Sequence, residues 1–277
     1  MAKTQIEGQS AALLRIEQGH FMNRTSCCGK VDAVIKRHFL VKQVTKGGPA
    51  LKLLFCIVLG LVMMKIDGAR AQEFANFARY AQANSVLGPA AGSEMRVVFM
   101  GDSITEGWSP SSPEFFEGKP YINRGISGQV TSQMLIRFRP DVIDLNPAAV
   151  VILAGTNDIA ENKGPTTTGA ILGNIASMAE LARANDIEVI ICSVLPAYDY
   201  PWRPGLNPNI KIPRLNERLK AYAEANEFMY LDYFSEMNDG NNAMIEAYTT
   251  DGVHLTTDGY EVMGRLVENA LAIVTAH

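Results

Sequence analysis

Cysteine and histidine are both scarce in this chain of 277 residues, with four of each. Cys27, Cys28 and Cys56 all precede Ala71, so Cys192 is the single thiol of the remaining chain. One thiol makes neither an internal disulfide nor a multi-cysteine metal site. Cys192 lies in the apolar stretch Glu188–Leu195, which reads as a buried, inert thiol. H-E-x-x-H and paired C-x-x-C patterns are missing, and no metal is expected. The chain also lacks the G-x-x-x-x-G-K-[ST] phosphate loop and the G-x-G-x-x-G dinucleotide fingerprint, so no nucleotide cofactor is expected. A G-x-S-x-G elbow is absent as well, which excludes the usual architecture built around that turn.

Long apolar runs are lacking too. The longest, Leu53 to Met64, has 12 residues, short of the roughly 20 that a spanning helix needs. Lys42, Lys46 and Lys52 precede it, and Ala69-Arg70-Ala71 follows. A basic flank, a short apolar core and small residues at −3 and −1 form the pattern of an export signal cleaved near Ala71. The 52 residues before the run are too many for such a signal, which points to a translation start downstream of Met1. The expected organisation is an extension at 1–71, with its apolar core at 53–64, and one domain at 72–277.

The net charge of −4 hides an asymmetry. Residues 1–71 carry 11 Lys and Arg against 4 Asp and Glu, and the remainder carries 14 against 25. An acidic body of this kind disfavours nucleic acid and anionic membrane surfaces, both polyanions.

In that body, short apolar runs alternate with helical patterns. Strands are predicted at Arg96–Met100, Tyr121–Asn123, Ala149–Ala154, Glu188–Leu195 and Phe228–Tyr233. They are continuous rather than alternating, as in a parallel sheet covered on both faces. Helices are predicted at Gln72–Leu87, Thr131–Phe138, Thr168–Asn185, Ile210–Asn226 and about Thr257–Val274, with Asn185 and Asn226 as left-handed terminators. The order implies an open three-layer α/β domain with about five strands, its site beyond their carboxyl ends. One long connection, Pro196–Pro213, carries Tyr198, Tyr200 and Trp202, and loops of such length are usually functional or disordered.

Ser103 follows the first strand in Gly101-Asp102-Ser103-Ile104-Thr105. A helical turn opening there converges backbone N–H groups near its hydroxyl, although a capping serine fits the same position. Asp251 stands three residues before His254, close enough to accept the Nδ1 hydrogen and set the tautomer. With His277 as the only other histidine beyond residue 71, His254 is the natural general base. Gly128 can offer an unobstructed N–H and Asn157 a side-chain amide to an oxyanion; singly, each also reads as a turn residue.

Taken in order, Gly101-Asp102-Ser103-Ile104-Thr105, Asn123-Arg124-Gly125-Ile126-Ser127-Gly128, Gly155-Thr156-Asn157-Asp158 and Asp251-Gly252-Val253-His254-Leu255 resemble the blocks of the SGNH hydrolases, the GDSL esterase/lipase family. Within it the chain is most similar to bacterial lysophospholipase-like and platelet-activating-factor-acetylhydrolase-like members. Ile104 stands where the family name has leucine. The resemblance implies a flavodoxin-like α/β/α sandwich. It also implies Ser103 as nucleophile, Asp251 and His254 as its partners, and an oxyanion hole of Ser103, Gly128 and Asn157. Asp102 and Asp158 read as structural, and Glu106 and Trp108 as pocket-lining.

The expected activity is hydrolysis of short-chain carboxylic esters through an acyl-enzyme intermediate. The expected partner is a small ester, such as an acetylated carbohydrate whose ring stacks on Tyr198, Tyr200 or Trp202. Acyl transfer by the same residues and a non-catalytic carbohydrate-binding module remain the alternatives, and the oligomeric state is open. Export predicts that protein recovered from the envelope or medium begins at or near Gln72 by mass spectrometry. An intact Met1 on active cytoplasmic protein would overturn it.

Overall fold

The computed structural model describes residues 73–92 and 94–276, which belong to a unit spanning Ala69–His277. The expected extension 1–71, with its apolar core 53–64, lies outside the described residues. No described helix is long and apolar enough to cross a membrane.

In chain order the elements are α1 (Ala78–Leu87), β1 (Val97–Gly101), α2 (Ser103–Ser111), α3 (Pro113–Phe116), β2 (Tyr121–Gly125) and α4 (Thr131–Asp141). Then come β3 (Ala149–Leu153), α5 (Thr156–Ile159), α6 (Thr168–Arg183), β4 (Glu188–Cys192), α7 (Pro208–Ala225), β5 (Met229–Leu231), α8 (Tyr233–Met237) and α9 (Thr257–Val274). The five strands are parallel, in the order β2-β1-β3-β4-β5. This is the flavodoxin-like order, whose switch point falls beside β1.

Period-two alternation in strands buried on both faces builds two cores. Val98, Met100, Val150, Ile152, Val189 and Ile191 face α4, α6 and α7. Val97, Phe99, Val151, Leu153, Ile190 and Cys192 face α2, α8 and α9. Cys192 is buried as expected, and desolvation pushes its thiol pKa up. Trp108 belongs to the second core, stacked on Phe115 at 4.4 Å and edge-on to Phe99. It is 1% exposed and lines no pocket at the site, which corrects the expectation for this residue.

The strand ends place the site. Gly101 pairs with Gly125 of β2 and with Leu153 of β3, so three loops leave the sheet at one level. Side chains at the two glycines would collide with α2. A Cβ on Gly101 would lie 2.0 Å from Thr105 Oγ1, and one on Gly125 would lie 2.1 Å from the Glu106 amide nitrogen. Gly101 therefore serves close approach of the helix.

Several boundaries differ from the sequence expectations. Residues Asn76 and Phe77 form a turn, with Asn76 at φ 54°, which breaks the expected Gln72–Leu87 helix: residues 73–75 are helical before it, and α1 begins at Ala78 after it. The long loop ends earlier because α7 begins at Pro208, a first-turn position that needs no N–H. Pro213 sits inside α7, and the Asn209 carbonyl it cannot serve accepts from Asn242 Nδ2 at 3.0 Å. The left-handed terminators are Asp186 and Glu227, both at φ 57°, one residue beyond Asn185 and Asn226. Those asparagines instead turn their side-chain amides back onto the Leu181 and Tyr222 carbonyls.

Candidate active site

Ser103 opens α2 directly after β1. Its predecessor Asp102 is the N-cap, and Asp102 Oδ1 accepts from the Ile104 N–H at 3.0 Å. Half-buried Ser103 Oγ lies 3.0 Å from His254 Nε2. His254 Nδ1 lies 2.7 Å from Asp251 Oδ2. A hydrogen on Nδ1 shared with the carboxylate leaves the Nε2 lone pair facing the serine hydroxyl.

Asp251 also shapes the loop that carries the histidine. Its Oδ1 accepts from the N–H groups of Val253 at 2.9 Å and His254 at 2.7 Å. Gly252, between Asp251 and Val253, has φ 87°, which a side chain would strain. Burial raises the Asp251 pKa, but bonds from the His254 ring and from the two N–H groups outweigh it and hold the carboxyl below its ordinary value. Asp251 is thus kept charged beside the imidazole.

Gly128 occupies the third position of a turn closed by the Gln129 N–H on the Ile126 carbonyl, and its φ of 73° suits glycine there. Asn157 lies in α5, immediately after β3, and is 3% exposed. Its Nδ2 donates to Gln129 O at 3.1 Å and Asp102 Oδ2 at 3.2 Å, and its Oδ1 accepts from Asn162 Nδ2 at 2.5 Å. Both amide hydrogens have acceptors, so an oxyanion would share one of them in a bifurcated bond.

The sequence expectation for Asp102 and Asp158 matches their contacts. Asp158 accepts from Thr131 N at 2.9 Å and Thr131 Oγ1 at 2.7 Å, tying α5 to α4. Asp102 is buried, and desolvation pushes its pKa up to about 6 against the opposing Ile104 N–H and the nearby His254. Glu106 faces Arg79 and the Ser127 N–H at 2.8 and 2.9 Å.

The three aromatic residues of the long loop have different fates. Tyr200 is 0% exposed, with its hydroxyl on Thr156 Oγ1 at 2.9 Å, so it supports α5 and has no face for a ligand. That corrects its reading as a substrate contact. Tyr198 is 61% exposed. Trp202 is 44% exposed, packs on Tyr200, and has its ring centre 6.0 Å from that of His254. Trp202 Nε1 donates to Asn162 Oδ1 at 3.1 Å. Asn162, Gln129 and Arg137 went unread in the sequence because no local pattern marks a polar residue as second in line behind a motif.

A groove of about 890 Å³ adjoins Gly128, bounded by Phe74, Phe77, Ile126, Gln129 and Lys163. Among the described residues, no group of three His, Cys, Asp or Glu side chains is placed to hold a metal ion.

Sheet order, strand-end placement and an aligned acid–histidine–serine row together define the class: a carboxylic ester hydrolase of α/β/α architecture. The chain belongs to the GDSL-like lipase/acylhydrolase family, whose model matches residues 99–262. A GDSL-like lipase from Bacteroides thetaiotaomicron VPI-5482 is 51% identical, with a TM-score of 0.71, over 72% of this chain and 98% of that one. An acetylxylan esterase from Geobacillus stearothermophilus, solved as a catalytic mutant, is 18% identical with a TM-score of 0.51, over 67% of this chain and 96% of that one. At that identity the likeness is one of fold. The uncharacterized lipoprotein YqeF of Bacillus subtilis (strain 168) is 33% identical over 78 residues, which are 27% of this chain. The match spans 32% of that relative's length.

Asp102 generates a pH prediction. Its folded pKa of about 6 lies above the ordinary 3.8, so the folded chain holds this proton more tightly than the unfolded one. Its contribution to stability is therefore most favourable below about pH 4, declines as pH rises to about 6, and stays low above that. Relative to Asp102→Asn, the unmodified chain should lose stability across this window in urea unfolding. A pH-independent gap between the two would refute the assignment.

Proposed function

We propose that this protein is an exported serine esterase that removes short acyl groups, acetyl above all, from carbohydrate esters. The observation that carries the reading is the continuous row Asp251–His254–Ser103, with contacts of 2.7 and 3.0 Å. His254 takes the Ser103 proton as Oγ attacks the ester carbonyl. Asp251 stabilises the imidazolium that results. The N–H groups of Ser103 and Gly128 and the Asn157 amide receive the oxyanion. His254 then protonates the leaving alcohol, and water repeats the sequence on the acyl-enzyme.

Support for a sugar leaving group comes from Trp202, whose partly exposed ring stands beside His254, the residue that delivers the proton to that alcohol. Indole faces stack on the apolar faces of sugar rings. The shared fold with an acetylxylan esterase is compatible with this substrate class. Export rests on the sequence pattern ending at Ala71, and a lipoprotein relative accords with it.

Ser103→Ala should cut kcat by several orders of magnitude while the domain stays folded. Asn157→Ala should lower kcat by roughly 10²–10³ with KM little changed. Turnover of p-nitrophenyl acetate by purified variants reads both, and near-normal turnover of Ser103→Ala ends the proposal. Trp202→Ala should raise KM for acetylated xylo-oligosaccharides several-fold and leave p-nitrophenyl acetate almost untouched, because only the former presents a sugar ring. Equal losses on both substrates would remove the sugar platform from the reading.

A further inference from the structure

The two proposed side donors of the oxyanion hole stand on different segments, Gly128 in the turn after β2 and Asn157 in α5 after β3. One residue touches both arrangements. Gln129 follows Gly128 in the chain and closes its turn through the Gln129 N–H on Ile126 O. Its carbonyl accepts from Asn157 Nδ2 at 3.1 Å. The backbone of Gln129 is therefore the direct link between the donors.

The Gln129 side chain is 3% exposed and bonded at both ends. Its Oε1 accepts from Arg137 Nε at 2.5 Å, and its Nε2 donates to the Ala75 carbonyl at 2.9 Å. Arg137 is 0% exposed and turns its other nitrogens to Asp141 Oδ2 at 2.9 Å and Gly101 O at 3.0 Å. The same Gly101 carbonyl accepts from the Ile126 N–H, at the head of the Gly128 turn. A guanidinium is planar and rigid, so one Arg137 side chain sets Gln129 against the strand end that leads to Ser103.

The outer hold comes from the segment before β1. Besides Ala75, the Phe74 carbonyl accepts from Gln133 Nε2, Tyr80 Oη donates to Gly125 O, and Arg79 pairs with the Glu106 that receives the Ser127 N–H. These contacts fall on the end of β2, on the connection 126–130 and on the helix that follows it, directly or through Glu106. A turn of five residues has few contacts of its own, and a hole donor displaced by a fraction of an ångström loses much of its effect.

We propose that Gln129 is a positioning residue for the oxyanion hole, clamped between buried Arg137 and the N-terminal segment at Ala75, and that it aligns Gly128 and Asn157 together. This rests on the reading of Ser103 as nucleophile and of Gly128 and Asn157 as oxyanion donors. Gln129 touches no substrate in this role. Its removal acts on the tetrahedral state and spares ground-state binding.

The test combines turnover with a tetrahedral probe. Phenylboronic acid accepts a Ser103 Oγ lone pair at boron while the hydroxyl proton passes to His254, giving a tetrahedral boronate anion with one of its boron hydroxyl oxygens in the hole. Gln129→Ala should lower kcat on p-nitrophenyl acetate on the order of tenfold or more with KM within about twofold. Inhibition by phenylboronic acid should weaken by a matching factor. Gln129→Glu keeps an acceptor for Arg137 and loses the donor to Ala75, so both losses should be smaller. Should Gln129→Ala fail to fold, Gln129→Glu decides: a lowered kcat with weaker boronate inhibition supports the role. A lower melting temperature with unchanged kcat and boronate affinity would make Gln129 merely structural and overturn the proposal. Ser103→Ala is the separate control: its loss of activity beside a fully active Gln129→Ala sinks this inference alone, whereas an active Ser103→Ala sinks the esterase reading itself.

Discussion

Level termination of three neighbouring strands is the constraint on which the site depends. Gly101 lies opposite both Gly125 and Leu153, and its carbonyl is shared by the Ile126 N–H and Arg137. The absence of side chains at both glycines lets α2 settle across the ends of β1 and β2. Ser103, the Gly128 turn and Asn157 then emerge on one rim of the sheet. Arg137 stays buried and charged because each of its guanidinium nitrogens has an acceptor, with Asp141 as its counter-charge. A buried guanidinium with any of those acceptors removed would be strongly unfavourable. Packing and polar satisfaction are therefore inseparable at this strand end.

Two carboxylates near the histidine are tuned in opposite directions. Asp251 is partly open to solvent and bonded by the His254 ring and two backbone N–H groups, which keeps it charged. Asp102 is enclosed, and desolvation works against its charge. Different environments for two like groups commonly separate their roles. Here one orients the imidazole, and the other caps α2 and receives Asn157. The histidine loop is further tied to the serine helix by Tyr260 of α9, whose hydroxyl donates to Ile104 O at 2.8 Å. The 3.0 Å serine–histidine contact spans 151 positions of chain, and this hydroxyl bridge helps to hold it.

Long elements were legible because their hydrophobic period repeats. Thr257–Val274 came out at its expected bounds, and every expected strand exists with ends shifted by a few residues. Short helices such as α3, α5 and α8 complete too few turns to show a period, and they went unread. The terminators at Asp186 and Glu227 were misplaced by one residue because asparagine tolerates the left-handed region well, while here its amide bonds the preceding turn instead. Pro213 suggested a loop limit, yet Asn242 satisfies the carbonyl that it leaves free.

By itself the sequence determined which chemistry the chain carries. Four short blocks in a fixed order mark the family, and Ser103, Asn157, Asp251 and His254 are the candidates that those blocks carry, although singly each also reads as a cap, turn or packed residue. The sequence likewise established the alternating order of strands and helices, since burial on both faces leaves continuous apolar runs. Only the tertiary structure decided which polar and aromatic residues serve the site from a distance. Trp108 and Trp202 are the same residue type, yet one is enclosed by Phe99 and Phe115 and the other stands open beside His254. Tyr200 is sealed by Thr156 two positions from a half-open tryptophan, and Gln129 meets Arg137 and Ala75 across 8 and 54 positions. Burial and second-line contacts depend on what packs from elsewhere in the chain, and a one-dimensional pattern records only what each residue brings to its own element.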